Sequence, residues 1–380
     1  MLSAEENELM TRVGPGTPGG EMLRRYWWPI QFSEQIKDKP TKVRLLGQDF
    51  VLFRLPDGKP AMLDLLCPHR LTSLEYGRVE KDGLRCCYHG WLFDPAGKCL
   101  EQPAERPGNT YKDRVRTGGY PAEDLGGFVF VYLGPLPAPI LPRYDVLERQ
   151  DGKRVVGCDE DYCNWLQKAE NGADLPHLPF LHASVYPHMA MKTPEGYEYE
   201  DRPYGFKCIL KMENLAPRII HFVLPAHSRI STTPRQGMLP SHDMRIRVPI
   251  DDSLTYSFWV RFHPTPEAVY ELQTKGFTGK VPGVYPREQD GYWNIPSMEQ
   301  DRVAQETQGV ITDRTKEHLA ESDRGIIILR KKLRESIDLV AAGKDPLGVM
   351  RDPSEEAGLS FETTLKETDY IISARELADS

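Results

Sequence analysis

Four residues in two short stretches carry the strongest chemical signal in the chain. Cys67-Pro68-His69 and Cys86-Cys87-Tyr88-His89 give C-x-H and C-x-x-H, separated by the 16 residues 70–85. Each stretch offers one thiolate and one imidazole. That is the donor set of a Rieske [2Fe–2S] centre, in which two His replace two Cys on one iron and raise the reduction potential. Neutral imidazole donates less charge than thiolate, so an added electron is better tolerated. A structural Cys2His2 zinc site uses the same residue types. Zinc knuckles pair Cys with Cys and His with His, whereas here each stretch mixes the two, as a cluster with two unlike irons requires. Only Cys86, not Cys87, stands in the C-x-x-H register with His89, and Cys99, Cys158, Cys163 and Cys208 read as inert buried thiols.

A second constellation runs from Asn171 through Asp174 and His177 to His182, in the sequence NGADLPHLPFLH. Residues five apart lie on different faces of a regular helix. Pro176 and Pro179 imply a distorted or ending helix, which can turn both imidazoles toward one metal. One added carboxylate completes the 2-His-1-carboxylate triad of non-haem Fe(II) oxygenases, whose open positions accept O2. Asp174 is three residues before His177. A carboxylate distant in sequence is the preferred third ligand, and we take Asp301, with Asp290, Glu299 and Glu306 as rivals. A His pair alone is more often structural, but a one-electron centre in the same chain needs a destination for its electron.

The elements that must hold these residues are legible in outline. With 380 residues the chain has room for two domains, or three at most. Charged residues are 27% and apolar residues 39%, with Gly 31 and Pro 32, the composition of a loop-rich globular protein. A net charge of −8 argues against nucleic acid as a partner. No 18-residue apolar run and no basic, apolar leader is present, so the expectation is a cytoplasmic enzyme without a membrane span. Seven cysteines are too sparse for a disulfide scaffold.

Ser3 with Glu6 forms a capping-box pattern before a helix through Arg12, and a second helix is predicted from Thr17 to Tyr26. Between them Gly14–Gly19 formally fits G-x-G-x-x-G, but no strand precedes it and two prolines interrupt it, so it reads as a turn. β-rich runs from Val43 to about Leu133 predict a small antiparallel domain, and the proline-rich stretch Gly134–Pro142 predicts a linker. The expected division is 1–142, with a cluster-domain core at about 27–135, and 143–380. The second part combines a helical patch at Asn164–His182, a strand at Tyr256–Phe262 and a helix capped by Ser322 and stopped at Gly343.

C-x-H-x16-C-x-x-H followed about 85 residues later by Asp-x-x-His-x4-His resembles the oxygenase component of the Rieske non-haem iron oxygenases. RVGPGTPGGEMLRRYWWP, CPHR, CCYHGWLFD, ENGADLPHLPFLHA and GVITDRTKEHLAESD are similar to the phthalate 4,5-dioxygenase branch, and the resemblance covers nearly the whole chain. That branch also contains O-demethylases and diaryl-ether-cleaving enzymes. The resemblance implies an α+β fold, with an N-terminal Rieske [2Fe–2S] antiparallel β domain and a C-terminal helix-grip-like catalytic domain. It also implies a head-to-tail ring of three subunits, or a stacked hexamer, with electrons crossing between subunits. On the family pattern Asp174 bridges His177 of its own subunit and the cluster ligand His89 of the neighbour, Asp301 binds iron, and Asn171 lies near the iron. The chain departs from that pattern at Arg70-Leu71, where a second basic residue is frequent.

No NAD- or flavin-binding motif is present, so a separate reductase of the flavin and ferredoxin type must deliver electrons from NAD(P)H. O2 is the co-substrate. In phthalate-type members, basic residues on comparable strands clamp a substrate carboxylate, which makes Lys207 and Arg218 the candidates here and an aromatic carboxylate the expected substrate. The expected reaction is ring hydroxylation, dihydroxylation or attack at an ether carbon. The alternatives are O-demethylation of a lignin-derived methoxy-aromatic acid with release of formaldehyde and, from another class, a Rieske electron-transfer protein with a degenerate mononuclear site.

Overall fold

The structure, a computed structural model, describes residues 1–232, 241–265, 267–283, 285, 295, 299–354 and 361. The chain divides into two compact units, Arg24–Ala138 and a second made of Met1–Leu23 with Pro139–Ser380.

The first unit is built from short antiparallel strands: β1 (Trp27–Phe32), β2 (Thr41–Leu45), β3 (Gln48–Arg54), β4 (Pro60–Asp64), β5 (Arg78–Glu80), β6 (Gly83–Arg85), β7 (Leu92–Phe93), β8 (Cys99–Glu101), β9 (Gly119–Tyr120), β10 (Ala122–Leu125) and β11 (Phe128–Tyr132). They form three small sheets ordered β1-β11-β10, β2-β3-β4-β9 and β5-β6-β7-β8. Pro56-Asp57-Gly58 makes the turn from β3 to β4, with Gly58 at φ +90, a conformation that glycine adopts without a Cβ clash. Val51, Phe53, Leu63, Leu84 and Phe93 share one core with Cys67, Cys86 and Trp91, so the two Cys/His loops are rooted in packed apolar side chains.

In the second unit an eight-stranded sheet comprises β12 (Gly152–Asp161), β13 (Gly196–Arg202), β14 (Gly205–Lys211), β15 (Arg218–Val223), β16 (His227–Thr232), β17 (Ser241–Pro249), β18 (Thr255–Pro264) and β19 (Glu271–Phe277). Its order is β13-β14-β15-β16-β17-β18-β12-β19, antiparallel except for the β12–β19 pair. The helices are α1 (Ala4–Thr11), α2 (Pro18–Leu23), α3 (Asp145–Glu148), α4 (Trp165–Ala173), α5 (His177–Leu181), α6 (Gln300–Glu306) and α7 (Arg324–Ala341). The α+β architecture expected from the sequence is therefore present, with α4 packed between the sheet and α7.

Two glycines make that packing close. A Cβ on Gly172 would sit 2.9 Å from the Arg247 guanidinium of β17, and one on Gly325 would sit 2.2 Å from the Ala173 carbonyl. The first helices, grouped by the sequence reading with the cluster domain, instead belong with the second unit. α1 and α2 contact each other, α2 packs on α7, and the Asn7 amide binds the Thr312 carbonyl at 3.0 Å and the Arg314 guanidinium at 3.1 Å. The turn between the helices is at 14–17, two residues shorter than the motif, since Pro18 and Gly19 already begin α2, and among the described residues no helix is long and apolar enough to cross a membrane.

Candidate metal centres and substrate cavity

The two Cys/His loops are copies of one turn. Cys67 N–H donates to Thr72 O at 2.9 Å and Leu71 N–H to Cys67 O at 2.9 Å; Cys86 N–H donates to Trp91 O at 2.8 Å and Gly90 N–H to Cys86 O at 3.1 Å. Both turns place the fourth residue after cysteine in the left-handed region, Leu71 at φ +61 and Gly90 at φ +73. The cysteines are buried, while His69 and His89 come to the surface with ring centroids 4.5 Å apart and His69 stacked on Trp91 at 4.3 Å. Burial pushes the Cys67 thiol up to about 12, and nearby Cys86 adds to the rise. Such a pair is uncomfortable as bare thiolates and suits ligation by cationic iron. Desolvation, then His69 and Arg70, hold His89 below its ordinary value, which favours the neutral, ligating imidazole.

The second site is made where a helix breaks. Asn164 caps α4 through Leu166 N–H, α4 ends at Asp174, and Pro176 leads into the single turn of α5. His177 opens that turn and His182 closes it, so residues five apart present converging rings, with centroids 5.1 Å apart. Asp301 arrives from α6. Its Oδ1 lies 3.2 Å from His182 Nε2, 3.8 Å from His177 Nε2 and 3.2 Å from the Asn171 amide nitrogen. Among the described residues this is the one group of three such side chains whose donor atoms lie within 4.8 Å of one another. Burial would raise the Asp301 pKa, but the two imidazoles outweigh it and hold the carboxyl well below the usual range. Burial opposes charge on His177 in turn, and the Asp174 and Asp301 carboxylates overcome it, raising that pKa.

The donor set fits a hard divalent metal such as Fe(II). One buried oxygen of Asp174, Oδ1, has no hydrogen-bond partner, and His177 Nδ1 lies 3.4 Å from the other without hydrogen-bond alignment. Of the rival carboxylates, Glu299 pairs with Lys280 at 3.3 Å and Arg302 at 3.1 Å, and Glu306 pairs with Arg302 at 3.0 Å. Asp290 lies outside the described residues.

Beside the trio is a cavity of about 200 Å³. Leu178, Leu210 and Met212 form apolar walls, and Tyr186, His188 and Arg218 supply the polar groups. The Arg218 guanidinium lies over the Tyr186 ring at 5.5 Å, and Tyr186 stands edge-on to His182, centroids 6.2 Å apart. Lys207 does not reach this cavity. It alternates with Leu210 on β14, so it points from the opposite sheet face, and it pairs with its cross-strand partner Glu200 at 3.1 Å. Tyr186 and His188 give no signal in the sequence, because nothing in their spacing ties them to Arg218, 32 and 30 residues away.

Residues 26–115 match the Rieske [2Fe-2S] domain family. The chain is 37% identical over 377 residues to the 5,5'-dehydrodivanillate O-demethylase oxygenase subunit of Sphingobium sp. strain SYK-6, covering 96% of this chain and 87% of that one. The chain belongs to the Rieske non-haem iron oxygenases. It is also 34% identical over 370 residues to the phenoxybenzoate dioxygenase subunit alpha of Ectopseudomonas oleovorans, covering 90% and 87%. Solved Rieske oxygenases share the fold: NdmA of Pseudomonas putida CBB5 gives a TM-score of 0.65 at 19% identity over 85% of this chain and 93% of that one. Dicamba monooxygenase gives 0.61 at 17% identity over 84% and 99%. As the oxygenase component, the protein works with a Rieske cluster, a mononuclear non-haem iron and O2, and a separate reductase supplies its electrons.

Proposed function

We propose that this Rieske oxygenase component oxidises an aromatic carboxylate, with Cys67, His69, Cys86 and His89 holding the cluster and His177, His182 and Asp301 holding the iron. The observation that carries the reading is the convergence of both histidines on one Asp301 oxygen, at 3.2 and 3.8 Å, beside an apolar cavity that contains a guanidinium. When bound, the two metal centres supply the electrons and the O2 activation that no side chain can.

The polypeptide contributes position and exclusion. Arg218 carries no ion pair with a described carboxylate and offers a planar fork to the substrate carboxylate, while Leu178, Leu210 and Met212 keep water from the ring to be oxidised. Asp174 Oδ2 faces His177 Nδ1 at 3.4 Å and its charge favours a proton there, and Asn171 holds Asp301 through Oδ1. The unpartnered Asp174 Oδ1 supports the bridging role toward His89 of a neighbouring subunit, and with it a ring of three subunits or a stacked hexamer. The reductase in this reading is of the flavin and ferredoxin type. Its NAD(P)H supply is intracellular, which supports a cytoplasmic protein.

Names of relatives support the substrate class: phenoxybenzoate, 3-chlorobenzoate and phthalate dioxygenases, and the dehydrodivanillate demethylase. The 37% identity to that demethylase along nearly the whole chain favours a second reading, O-demethylation of a methoxy-aromatic acid. The test is O2 uptake by the reductase-coupled protein over a panel of benzoates with and without methoxy groups, with formaldehyde assayed in parallel. Substrate-dependent uptake with ring hydroxylation supports the first reading and stoichiometric formaldehyde the second. No uptake from a protein with full iron content, or response to neutral arenes alone, overturns both.

A further inference from the structure

Gln300 and Asp301 are neighbours at the start of α6, yet they meet His182 at opposite edges of its ring. Asp301 Oδ1 is 3.2 Å from Nε2, and Gln300 Oε1 is 2.8 Å from Nδ1. The two ends of a glutamine amide have the same shape, so its orientation follows from its partners. Gln300 Nε2 lies 3.1 Å from the Ile295 carbonyl and 3.0 Å from the Ser184 hydroxyl. A carbonyl only accepts, so the NH2 end faces Ile295 and the oxygen is left facing His182. An amide oxygen also only accepts, so Nδ1 of His182 carries a proton, and Nε2, on the side of Asp301, is the nitrogen left to bind a metal. Gln300 is 3% exposed and His182 8%, which leaves little room for water to stand in for either partner.

We propose that Gln300 is a positioning residue that locks His182 in its metal-ready tautomer, using the Ile295 carbonyl as the anchor. This rests on the reading that His177, His182 and Asp301 hold the iron. The two imidazoles are then oriented differently, His177 by a carboxylate and His182 by a neutral amide that adds no charge to the site.

The test is anaerobic Fe(II) titration of protein whose cluster is loaded, the cluster's visible spectrum serving as the control for folding. Gln300→Leu is expected to weaken Fe(II) binding roughly 10- to 100-fold. Gln300→Glu still accepts from Nδ1–H and is expected to recover most of that loss. In Co(II)-loaded protein, one hyperfine-shifted, slowly exchanging imidazole N–H signal should be present in the wild type and lost to solvent exchange in Gln300→Leu. Unchanged Fe(II) affinity and an intact N–H signal in Gln300→Leu, or an equal loss of affinity in both variants, overturns the proposal. His182→Ala separates its failure from that of the site reading. Iron retained in His182→Ala refutes the ligand set itself, whereas iron lost there but kept in Gln300→Leu refutes only the role of Gln300.

Discussion

Asp301 Oδ1 is approached by two imidazoles and by the Asn171 amide, so removing that one carboxylate should dismantle the mononuclear site and leave the cluster loops untouched. Asp301→Ala is expected to lose one iron per chain while keeping the cluster's visible spectrum, and metal analysis checks it. Arg218 is the cavity's guanidinium. If Arg218 holds the substrate carboxylate as proposed, Arg218→Gln removes a charge-assisted pair worth about 1.5–3 kcal/mol and should lower kcat/KM for a carboxylated arene roughly 10- to 150-fold. The corresponding amide should discriminate little between the two proteins, and steady-state kinetics with both substrates decides it. At this scale the sequence was informative where residue type alone fixes chemistry. The thiol–imidazole pairs and the His–His spacing announce themselves. Lys207 and Arg218 looked equivalent, and only strand alternation separates them, since Lys207 shares no face with Leu210. Gln300 gave no signal because an amide acquires its role from partners at positions 182, 184 and 295.

The helix that leads into the site is α4, which carries Asn171 and is capped by Asp174. Its Glu170 is buried and forms pairs with Arg314 at 2.7 Å and Arg330 at 2.7 Å, one turn before Asp174. Burial would raise the Glu170 pKa, but the two guanidinium groups outweigh it and lower it from 4.5. The folded state therefore holds the carboxylate charged more readily than the unfolded chain. That contribution is fully present above the unfolded value and is lost as pH falls through the carboxylate range. Glu170→Gln leaves buried cations uncompensated and should cost about 3–5 kcal/mol at neutral pH. The difference in thermal stability from the wild type should shrink below about pH 4.5, and calorimetry across pH 3.5–7.5 reads it. Helix limits were legible where a local bond sets them: Ser3 and Glu6 do form the capping box, and Gly343 does stop α7, at φ +75. The same α7 begins after Asp323 rather than Ser322, because Glu321–Asp323 form a 3₁₀ turn ahead of it, closed by the Asp323 carboxylate on Ala320 N–H at 2.7 Å. Thr17–Tyr26 shortened to Pro18–Leu23, as the tryptophans that follow belong to β1.

For the whole molecule, the reading in which electrons cross between subunits makes a prediction that no single chain can satisfy. A variant without cluster (Cys67→Ser with Cys86→Ser) and a variant without iron (Asp301→Ala) should each be inactive. Co-assembled from mixed expression, they should regain measurable turnover, and no recovery in assembled mixtures would confine the electron path to one chain. The domain boundary was the least legible feature of the sequence. Composition pointed to the proline-rich stretch near 134–142, and the first compact unit runs to Ala138, but nothing local shows that residues 1–23 pack on helices some 300 positions away. That arrangement makes the cluster unit an insertion inside the catalytic one, entered at Arg24 and left at Ala138. It also orders the protein's birth. As the chain leaves the ribosome, the first unit is complete in sequence while α1 and α2 still lack Arg314 and α7, for roughly 10–40 s at ~5–20 residues per second. All four cysteine and histidine positions of the two Cys/His loops are therefore in the emerging chain well before the last helix that holds α1 and α2 has been made.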